Sequence, residues 1–345
     1  MSKVKSSSMK DILGKIHLWG GLVSGIIVFI VSVTGCLFVY ESEIRSLLHS
    51  NYLFVTPQTS PKLTPEQLAL NLSSYFPSKE IEQIRYYQEA NRAILVKVVP
   101  KTGTPNKGEN SKESYTLNPY TGALLSPVSL EHDFLHYVEE IHTSLMMGEV
   151  GKWIIKINVV TFFFMLLTGL YLWWPRKKNQ RKTAYSLQLK GKKQLVNYSI
   201  HNVLGFYALP LGIILTITGL ILTYEPVKNV FFTAFSGTTE RANLQKTLPK
   251  ADSTKVAMPL ADLLAPYEKA AVPQITIGIP NPKSGALMIR TENETSMVTY
   301  RGDITYVNIY SGEKLDLNSQ LLTELKMENM NLSLHLGTWY GLPAK

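Results

Sequence analysis

Four of the seven histidines stand at positions that recur along the chain. His17 and His201 each open a long uncharged run, and each is followed by glycine after four residues and by Thr-Gly after seventeen. His142 and His335 form a second set, each followed by glycine after six residues and by lysine after ten. Imidazole is the commonest metal ligand among side chains, and two imidazoles can fill both axial positions of one haem iron. The four histidines are therefore candidate haem ligands.

The runs that begin at His17 and His201 are long enough to cross a membrane. Residues 17–40 and 201–224 contain no Asp, Glu, Lys or Arg, and about 20 helical residues span a hydrocarbon core of ~30 Å. A third apolar run, 153–174, contains one charged residue, Lys156, and ends in Trp-Trp before a proline and a basic segment. Tryptophans are enriched at membrane interfaces. We predict three transmembrane helices: one within 1–43 after a cytoplasmic tail, one over 151–175 and one over 197–225.

The net charge of +9 lies mostly beside these helices. Residues 1–15 contain four lysines and one aspartate, and residues 176–193 contain eight basic residues and no acidic one. Positive segments that flank membrane helices stay in the cytoplasm. The amino terminus and the loop 176–196 are therefore predicted to be cytoplasmic, and segments 44–150 and 226–334 external. Because the basic surplus sets topology, it gives no support to a nucleic-acid partner.

The two external segments resemble each other in pattern. Each contains runs of alternating polar and apolar residues that end in Asn-x-Tyr-[Ser/Thr]-Gly, at 118–122 and at 308–312, a typical turn sequence. We predict one small α+β domain in each segment and an internal duplication that covers helix and domain together. In that register residues 335–345 begin a fourth transmembrane helix, which would continue after Lys345.

The duplication also predicts how the histidines pair. His17 and His201 would lie at the cytoplasmic ends of their helices, and His142 and His335 at the external ends of theirs. One histidine from each half at the same depth gives two six-coordinate haem sites, with nearby glycines leaving room for the macrocycle. We expect the external site to be the weaker one, because the helix expected to hold His335 begins where the chain stops.

A simpler interpretation of these residues remains open. Gly21-x-x-x-Gly25 is also a helix-packing motif, and histidines at a membrane interface can bind lipid head groups. His132 and His136 lie one helical turn apart and could bind a metal with Glu140, although an exposed polar helix face is commoner. The single cysteine, Cys36, excludes an intramolecular disulfide. No dinucleotide fingerprint follows a predicted strand, which leaves nucleotide binding unsupported.

Five segments together are similar to the PepSY-associated transmembrane family of bacterial inner-membrane proteins. They are KIHLWGGLVSG at 15–25, EIHTSLMMGEVGKW at 140–153, TGLYLWWPRKK at 168–178, IHNVLGFYALP at 200–210 and LHLGTWYGLPAK at 334–345. The segments with the Asn-x-Tyr-[Ser/Thr]-Gly turns are similar to PepSY domains. The chain departs from the family pattern in lacking the fourth helix and in having His132 and His136.

The resemblance implies an α-helical integral membrane protein of the inner membrane, with two external α+β domains of PepSY type. Some members resemble di-haem ferric-siderophore reductases. The implied cofactor is haem b, in two copies held by His17, His201, His142 and His335. The implied partners are membrane lipid, an electron donor of unknown identity, and a ferric siderophore or similar iron chelate whose Fe(III) is reduced to Fe(II). The alternative is a non-redox membrane module whose PepSY-like domains bind a peptide or regulate a partner protein.

Overall fold

The computed structural model describes residues 8–101, 113–126, 129–178, 181–239, 248–270, 272–279, 284–292, 303–316 and 319–337. The chain divides into two compact units. The helical unit comprises residues 1–39, 138–239 and 330–345, and the sheet unit comprises 40–137 and 240–329.

Eleven α-helices lie within the described residues. In chain order they are α1 (Met9–Val39), α2 (Glu41–Leu48), α3 (Ser50–Leu53), α4 (Pro65–Tyr75), α5 (Phe134–Ser144), α6 (Gly148–Trp173), α7 (Arg181–Tyr185), α8 (Lys193–Thr223), α9 (Glu225–Ser236), α10 (Leu260–Lys269) and α11 (Ser319–His335). The strands are β1 (Lys79–Tyr87), β2 (Ile94–Pro100), β3 (Glu113–Leu117), β4 (Gln274–Gly278), β5 (Ala286–Glu292) and β6 (Asp303–Asn308).

Three helices, α1, α6 and α8, are long and apolar enough to cross a membrane. They cover the three predicted spans, and the chain is accordingly a membrane protein whose helices contact lipid. Large apolar side chains such as Leu22, Ile26 and Phe29 remain exposed on α1, as a lipid-facing helix requires. The fourth span, predicted from residue 335 onward, falls mainly on residues 338–345, which lie outside the described part.

Helix α6 packs against both α1 and α8. Glycines allow close approach at both contacts: a Cβ added to Gly20 of α1 would meet the Met165 side chain at 3.0 Å, and one added to Gly212 of α8 would meet Leu166 at 3.4 Å. Small residues let membrane helices approach closely where packing rather than hydrophobicity drives association. Helix α6 thereby holds α1 and α8 in one bundle.

The sheet unit is built on one antiparallel sheet in the order β3-β2-β1-β4-β5-β6. The first three strands come from one predicted external segment and the last three from the other. They join at the β1–β4 pair, where Ile84 lies opposite Ile277. The two segments predicted as separate domains thus share a sheet.

One helix from each segment covers the sheet. Leu68 and Leu72 of α4 pack on a buried cluster with Ile84, and Leu263 and Leu264 of α10 pack on a second cluster. A Glu66 carboxylate oxygen of α4 accepts the backbone N–H of Leu260 at 2.6 Å and so caps the start of α10. An acidic side chain at a helix N-terminus satisfies an otherwise unpaired N–H and complements the helix dipole.

The two Asn-x-Tyr-[Ser/Thr]-Gly turns have the same hydrogen bonds. The side-chain oxygen of Asn118 accepts the N–H of Tyr120 at 2.9 Å, and that of Asn308 accepts the N–H of Tyr310 at 2.8 Å. The glycines have φ of 69° and 72°, a left-handed conformation that glycine adopts without strain. The turns follow the third strand of each segment, and the internal duplication of the whole chain stays a prediction.

The compact units divide at positions other than the predicted boundaries of 44–150 and 226–334. Residues 138–150 and 226–239 belong to the helical unit. Residues 226–239 belong to the helical unit because they form most of α9, which packs against α8. Residues 138–150 belong to it because α5 brings His142 into contact with α1.

Candidate functional site

The four candidate histidines all lie in the helical unit, where they form two pairs. The ring centroids of His17 on α1 and His201 on α8 are 6.1 Å apart. Those of His142 on α5 and His335 on α11 are 6.3 Å apart. The structure thus brings together the same partners that the repeat predicts. We call them the first pair and the second pair.

The spacing within each pair suits two ligands of one iron. A metal–imidazole bond is about 2.0 Å long and the nitrogen lies about 1.2 Å from the ring centroid, so two imidazoles on opposite sides of one ion have centroids roughly 6.4 Å apart. The observed separations of 6.1 and 6.3 Å match this value. Among the described residues no group of three or more His, Cys, Asp or Glu side chains could hold a metal ion. A haem iron needs only two protein ligands, because the macrocycle supplies the others.

In the first pair, His17 is held by α6. Its Nδ1 lies 3.0 Å from the hydroxyl oxygen of Thr168, and its Cε1 would lie 3.1 Å from a Cβ added to Gly169. His201 is exposed, and in the described part of the chain its ring contact is with His17. The first pair therefore has one firmly oriented member.

In the second pair, both histidines are oriented. The Nδ1 of His142 lies 2.9 Å from the carbonyl oxygen of Val31 and 3.4 Å from the hydroxyl of Thr34, both on α1. The Nδ1 of His335 lies 2.9 Å from the hydroxyl of Thr218 on α8. Each ring also lies against a glycine, Gly35 and Gly219 respectively.

A buried amide adds a further contact beside His335. Asn331, one helical turn earlier on α11, donates from its side chain to the Thr218 carbonyl at 3.3 Å. Two residues of α11 thus bond to one residue of α8 and orient the His335 ring, while the expectation that the external haem site is the weaker one stays a prediction. Of the four histidines, His201 is the least constrained.

A break between α5 and α6 lets His142 turn toward α1. Leu145 and Met146 have φ of 51° and 56°, a conformation that costs a non-glycine residue roughly 1–3 kcal/mol. The turn closes with the Met147 N–H bonded to the Ser144 carbonyl at 2.8 Å. A Cβ on Gly151 would lie 1.6 Å from that same oxygen, so only glycine fits there. Sequence reasoning placed His142 at the start of α6, whereas it lies on a separate helix.

The two pairs lie at different levels of the bundle. His17 and Val31, whose carbonyl meets His142, are fourteen residues apart on α1, which corresponds to a rise of about 21 Å. The same helix thus contributes to both pairs, near its two ends.

The remaining histidines do not join these pairs. The rings of His132 and His136 also lie 6.1 Å apart, in the sheet unit. These two residues are four positions apart on one stretch of chain and so project from the same side, whereas the members of each pair come from separate helices. His49 lies 3.7 Å from the carboxylate of Asp133, which also binds Arg45 at 3.0 Å. These contacts are typical of structural ion pairs.

The threonines and glycines that hold the rings were not identified as site residues from sequence. In the sequence, Thr34-Gly35 and Thr218-Gly219 mark the repeat and Thr168-Gly169 belongs to a segment that resembles the family. The available signal was the recurrence of Thr-Gly in all three membrane helices, which helix packing by small residues also explains.

A protein-family model described as the PepSY-associated TM region matches residues 15–345, almost the whole chain. No protein of curated function matches the chain.

Proposed function

Because the chain belongs to the PepSY-associated TM family, we propose that it is a haem protein of the bacterial inner membrane that carries electrons to an external iron chelate. The chelate is a ferric siderophore or a complex of similar chemistry. The electron donor is a reduced carrier in the membrane or the cytoplasm.

The observation that carries the proposal is the spacing of the two histidine pairs. Centroid separations of 6.1 and 6.3 Å suit two imidazole ligands of one iron, and each pair brings together histidines from separate helices of the helical unit. Interfacial histidines that bound lipid head groups independently would have no reason to meet in pairs. His17 with His201 would hold one haem b, and His142 with His335 a second.

When bound, haem supplies reversible one-electron transfer between ferric and ferrous iron. His17 with His201 and His142 with His335 would each supply two imidazoles to one haem, and such ligation would suit electron transfer. The two levels are about 21 Å apart along α1, in a bundle whose helices α1, α6 and α8 are long and apolar enough to cross a membrane. The lysines of 1–15 and the basic segment 176–193 favour a cytoplasmic position for the first pair.

The overall reaction balances as a single-electron exchange. The reduced carrier loses one electron and the chelated Fe(III) gains it, becoming Fe(II). Hard oxygen donors hold Fe(III) far better than Fe(II), so reduction releases the iron from an oxygen-rich chelator.

The test begins with the absorption spectrum of the full chain purified from haem-replete cells. We expect a Soret band, sharper α and β bands after dithionite reduction, and close to two haems per chain. Re-oxidation of the reduced protein by a ferric hydroxamate siderophore, with Fe(II) captured by a ferrous-specific chelator, then tests the acceptor. The matched control is the same chain with His17→Ala and His142→Ala. A colourless, folded protein would favour the non-redox module that binds a peptide or regulates a partner.

A further inference from the structure

Three threonines of the membrane helices contact the histidines in the same way. The hydroxyl oxygens of Thr168, Thr218 and Thr34 lie 3.0, 2.9 and 3.4 Å from the Nδ1 atoms of His17, His335 and His142. We propose that these threonines are positioning residues that fix each imidazole in the tautomer with the proton on Nδ1 and thereby tune the iron that Nε2 would bind. The proposal rests on the haem function proposed above, but the tautomer can be tested without haem.

The hydroxyl hydrogen of each threonine is already used within its own helix. Thr34 donates to the Ile30 carbonyl at 2.8 Å, Thr168 to the Phe164 carbonyl at 2.9 Å and Thr218 to the Ile214 carbonyl at 2.8 Å. A hydroxyl has one hydrogen and two lone pairs. The oxygen that faces the imidazole therefore accepts, and Nδ1 must carry the proton.

A backbone carbonyl beside His142 points to the same tautomer. The Val31 carbonyl, three positions before Thr34, lies 2.9 Å from His142 Nδ1. A carbonyl can only accept, so both neighbours of this Nδ1 require a proton there, and Nε2 keeps its lone pair.

The glycine after each threonine brings the ring close to the helix. An added Cβ would lie 2.9 Å from His142 Cε1 at Gly35, 3.1 Å from His17 Cε1 at Gly169 and 3.5 Å from His335 Cε1 at Gly219. We call each Thr-Gly pair a seat. Its hydroxyl binds the Nδ1 of the histidine, and its glycine, which has no side chain, lets the ring carbon Cε1 pack against the helix backbone.

The seats predict a direction for the reduction potential. An imidazole that donates its second N–H to an acceptor is a more basic ligand, and a more basic ligand stabilises ferric iron relative to ferrous. Removal of the acceptor hydroxyl should therefore raise the midpoint potential. Loss of a hydrogen bond to a metal-bound histidine alters the equilibria of a metal site by roughly tenfold or more. A tenfold change in a one-electron equilibrium corresponds to about 59 mV.

The first experiment measures the tautomer in haem-free protein. The full chain is produced under haem-limited growth with ¹⁵N-labelled histidine, reconstituted in lipid bilayers and examined by solid-state NMR. We expect wild-type protein to show Nδ1–H signals for His17, His142 and His335. The Thr34→Val, Thr168→Val, Thr218→Val triple variant should lose those of His17 and His335 and keep that of His142, because the Val31 carbonyl still binds His142 Nδ1. The matching triple serine variant, which keeps the hydroxyls, should behave as wild type. Wild-type rings protonated on Nε2 would overturn the proposal.

The second experiment measures potentials in the haem-loaded full chain. Thr168→Val should raise the midpoint potential of one centre about 59 mV, Thr218→Val should raise that of the other, and the serine variants should restore both. Valine variants that lose haem while staying folded also support a positioning role, provided that serine retains it. Unmoved potentials, or serine variants that behave as valine, contradict the proposal while leaving haem binding intact. Wild-type protein that binds no haem contradicts the proposed function instead, and the NMR result then decides whether the seats fix the tautomer.

Discussion

The ring centroids of His142 and His335, from opposite halves of the chain, lie 6.3 Å apart with the ring planes at 66°, and each ring is hydrogen-bonded by Nδ1 to a different membrane helix. His142 reaches α1 and His335 reaches α8. The pair is therefore fixed by four helices at once. Orientation of both ligands before a metal arrives reduces the ordering cost of binding, and the two histidine pairs differ in this respect.

The first prediction concerns selective loss of haem. If the proposed haems bind, His201→Ala should remove only that of the first pair and His142→Ala only that of the second, because each would lose one of its two ligands while the other pair is about 21 Å away. The measurement is haem per protein by the pyridine haemochrome method, which should fall from about two to about one in each variant. His136→Ala, in the sheet unit, is the matched control and should retain both. Loss of both haems from either folded variant would show that the pairs are not independent sites.

The same contacts predict which haem leaves first. His201 is exposed, whereas His142 and His335 are both held by hydrogen bonds. Transfer of haem to excess apomyoglobin should therefore empty the first pair before the second. Reduced-minus-oxidised spectra recorded in the His201→Ala and His142→Ala variants identify the component that is lost. Faster loss of haem from the second pair would contradict this prediction and agree with the expectation from sequence that the external site is the weaker one.

The second prediction concerns the glycine seats. Gly169→Ala places a Cβ 3.1 Å from His17 Cε1, so the ring must shift and the haem affinity of the first pair should fall about tenfold, as for other changes beside a metal ligand. Gly14→Ala on α1 is the control, because its added Cβ would meet no atom within 4 Å. Haem titration of the two variants compares them directly. Equal affinities would show that Gly169 does not constrain His17.

Much of the membrane part followed from sequence, because long uncharged runs and a repeated histidine leave few arrangements. The three spans are confirmed, and the rings meet in the predicted pairs, although their role as iron ligands stays a prediction. The break at Leu145 and Met146 was not foreseen, since non-glycine residues rarely adopt positive φ and nothing local signals it. The Thr-Gly seats were missed because their meaning depends on which helices become neighbours.

The sheet unit was less predictable for a different reason. Strand β1, KEIEQIRYY, was not predicted, since its many polar residues obscure the alternation of a half-buried strand. It lies at the centre of the sheet, paired with both β2 and β4. The pairing with β4 joins segments far apart in the chain, and local patterns contain no information about such contacts. Two separate domains were therefore expected where one sheet exists.

The third prediction concerns topology, which the basic segments set. In a Cys36→Ser background, Lys182→Cys should resist a membrane-impermeant thiol reagent in intact spheroplasts, whereas Lys101→Cys should react. Both lysines are exposed, so any difference in labelling reports the side of the membrane and not burial. Labelling after lysis, which should modify both, is the control. The reverse pattern would place the first pair outside and invert the proposed direction of electron flow.

The last prediction concerns a buried carboxyl in the sheet unit. Glu292, at the end of β5, is 2% exposed. Burial raises the pKa of its carboxyl from 4.5 to about 7, against the opposing effect of Arg85, Arg290 and a hydrogen bond from Gln274. In the folded chain the group therefore keeps its proton over a pH range in which the unfolded chain has lost it. Unfolding releases a proton there, so the stability of the sheet unit should fall as pH rises from about 4.5 to about 7.

Glu292→Gln removes this dependence, because glutamine resembles the protonated acid and does not titrate. At 1.36 kcal/mol per pKa unit, the variant should gain roughly 3 kcal/mol relative to wild type between pH 4.5 and pH 8, with little difference at the lower pH. Hydrogen exchange of β5 amides in the full chain, compared between variants at each pH, measures the change, since intrinsic exchange rates then cancel. Glu80→Gln, at an exposed position of β1, is the control. A pH-independent difference between Glu292→Gln and wild type would mean that the carboxyl is ionised in the folded sheet, held by Arg85 and Arg290 in spite of its burial.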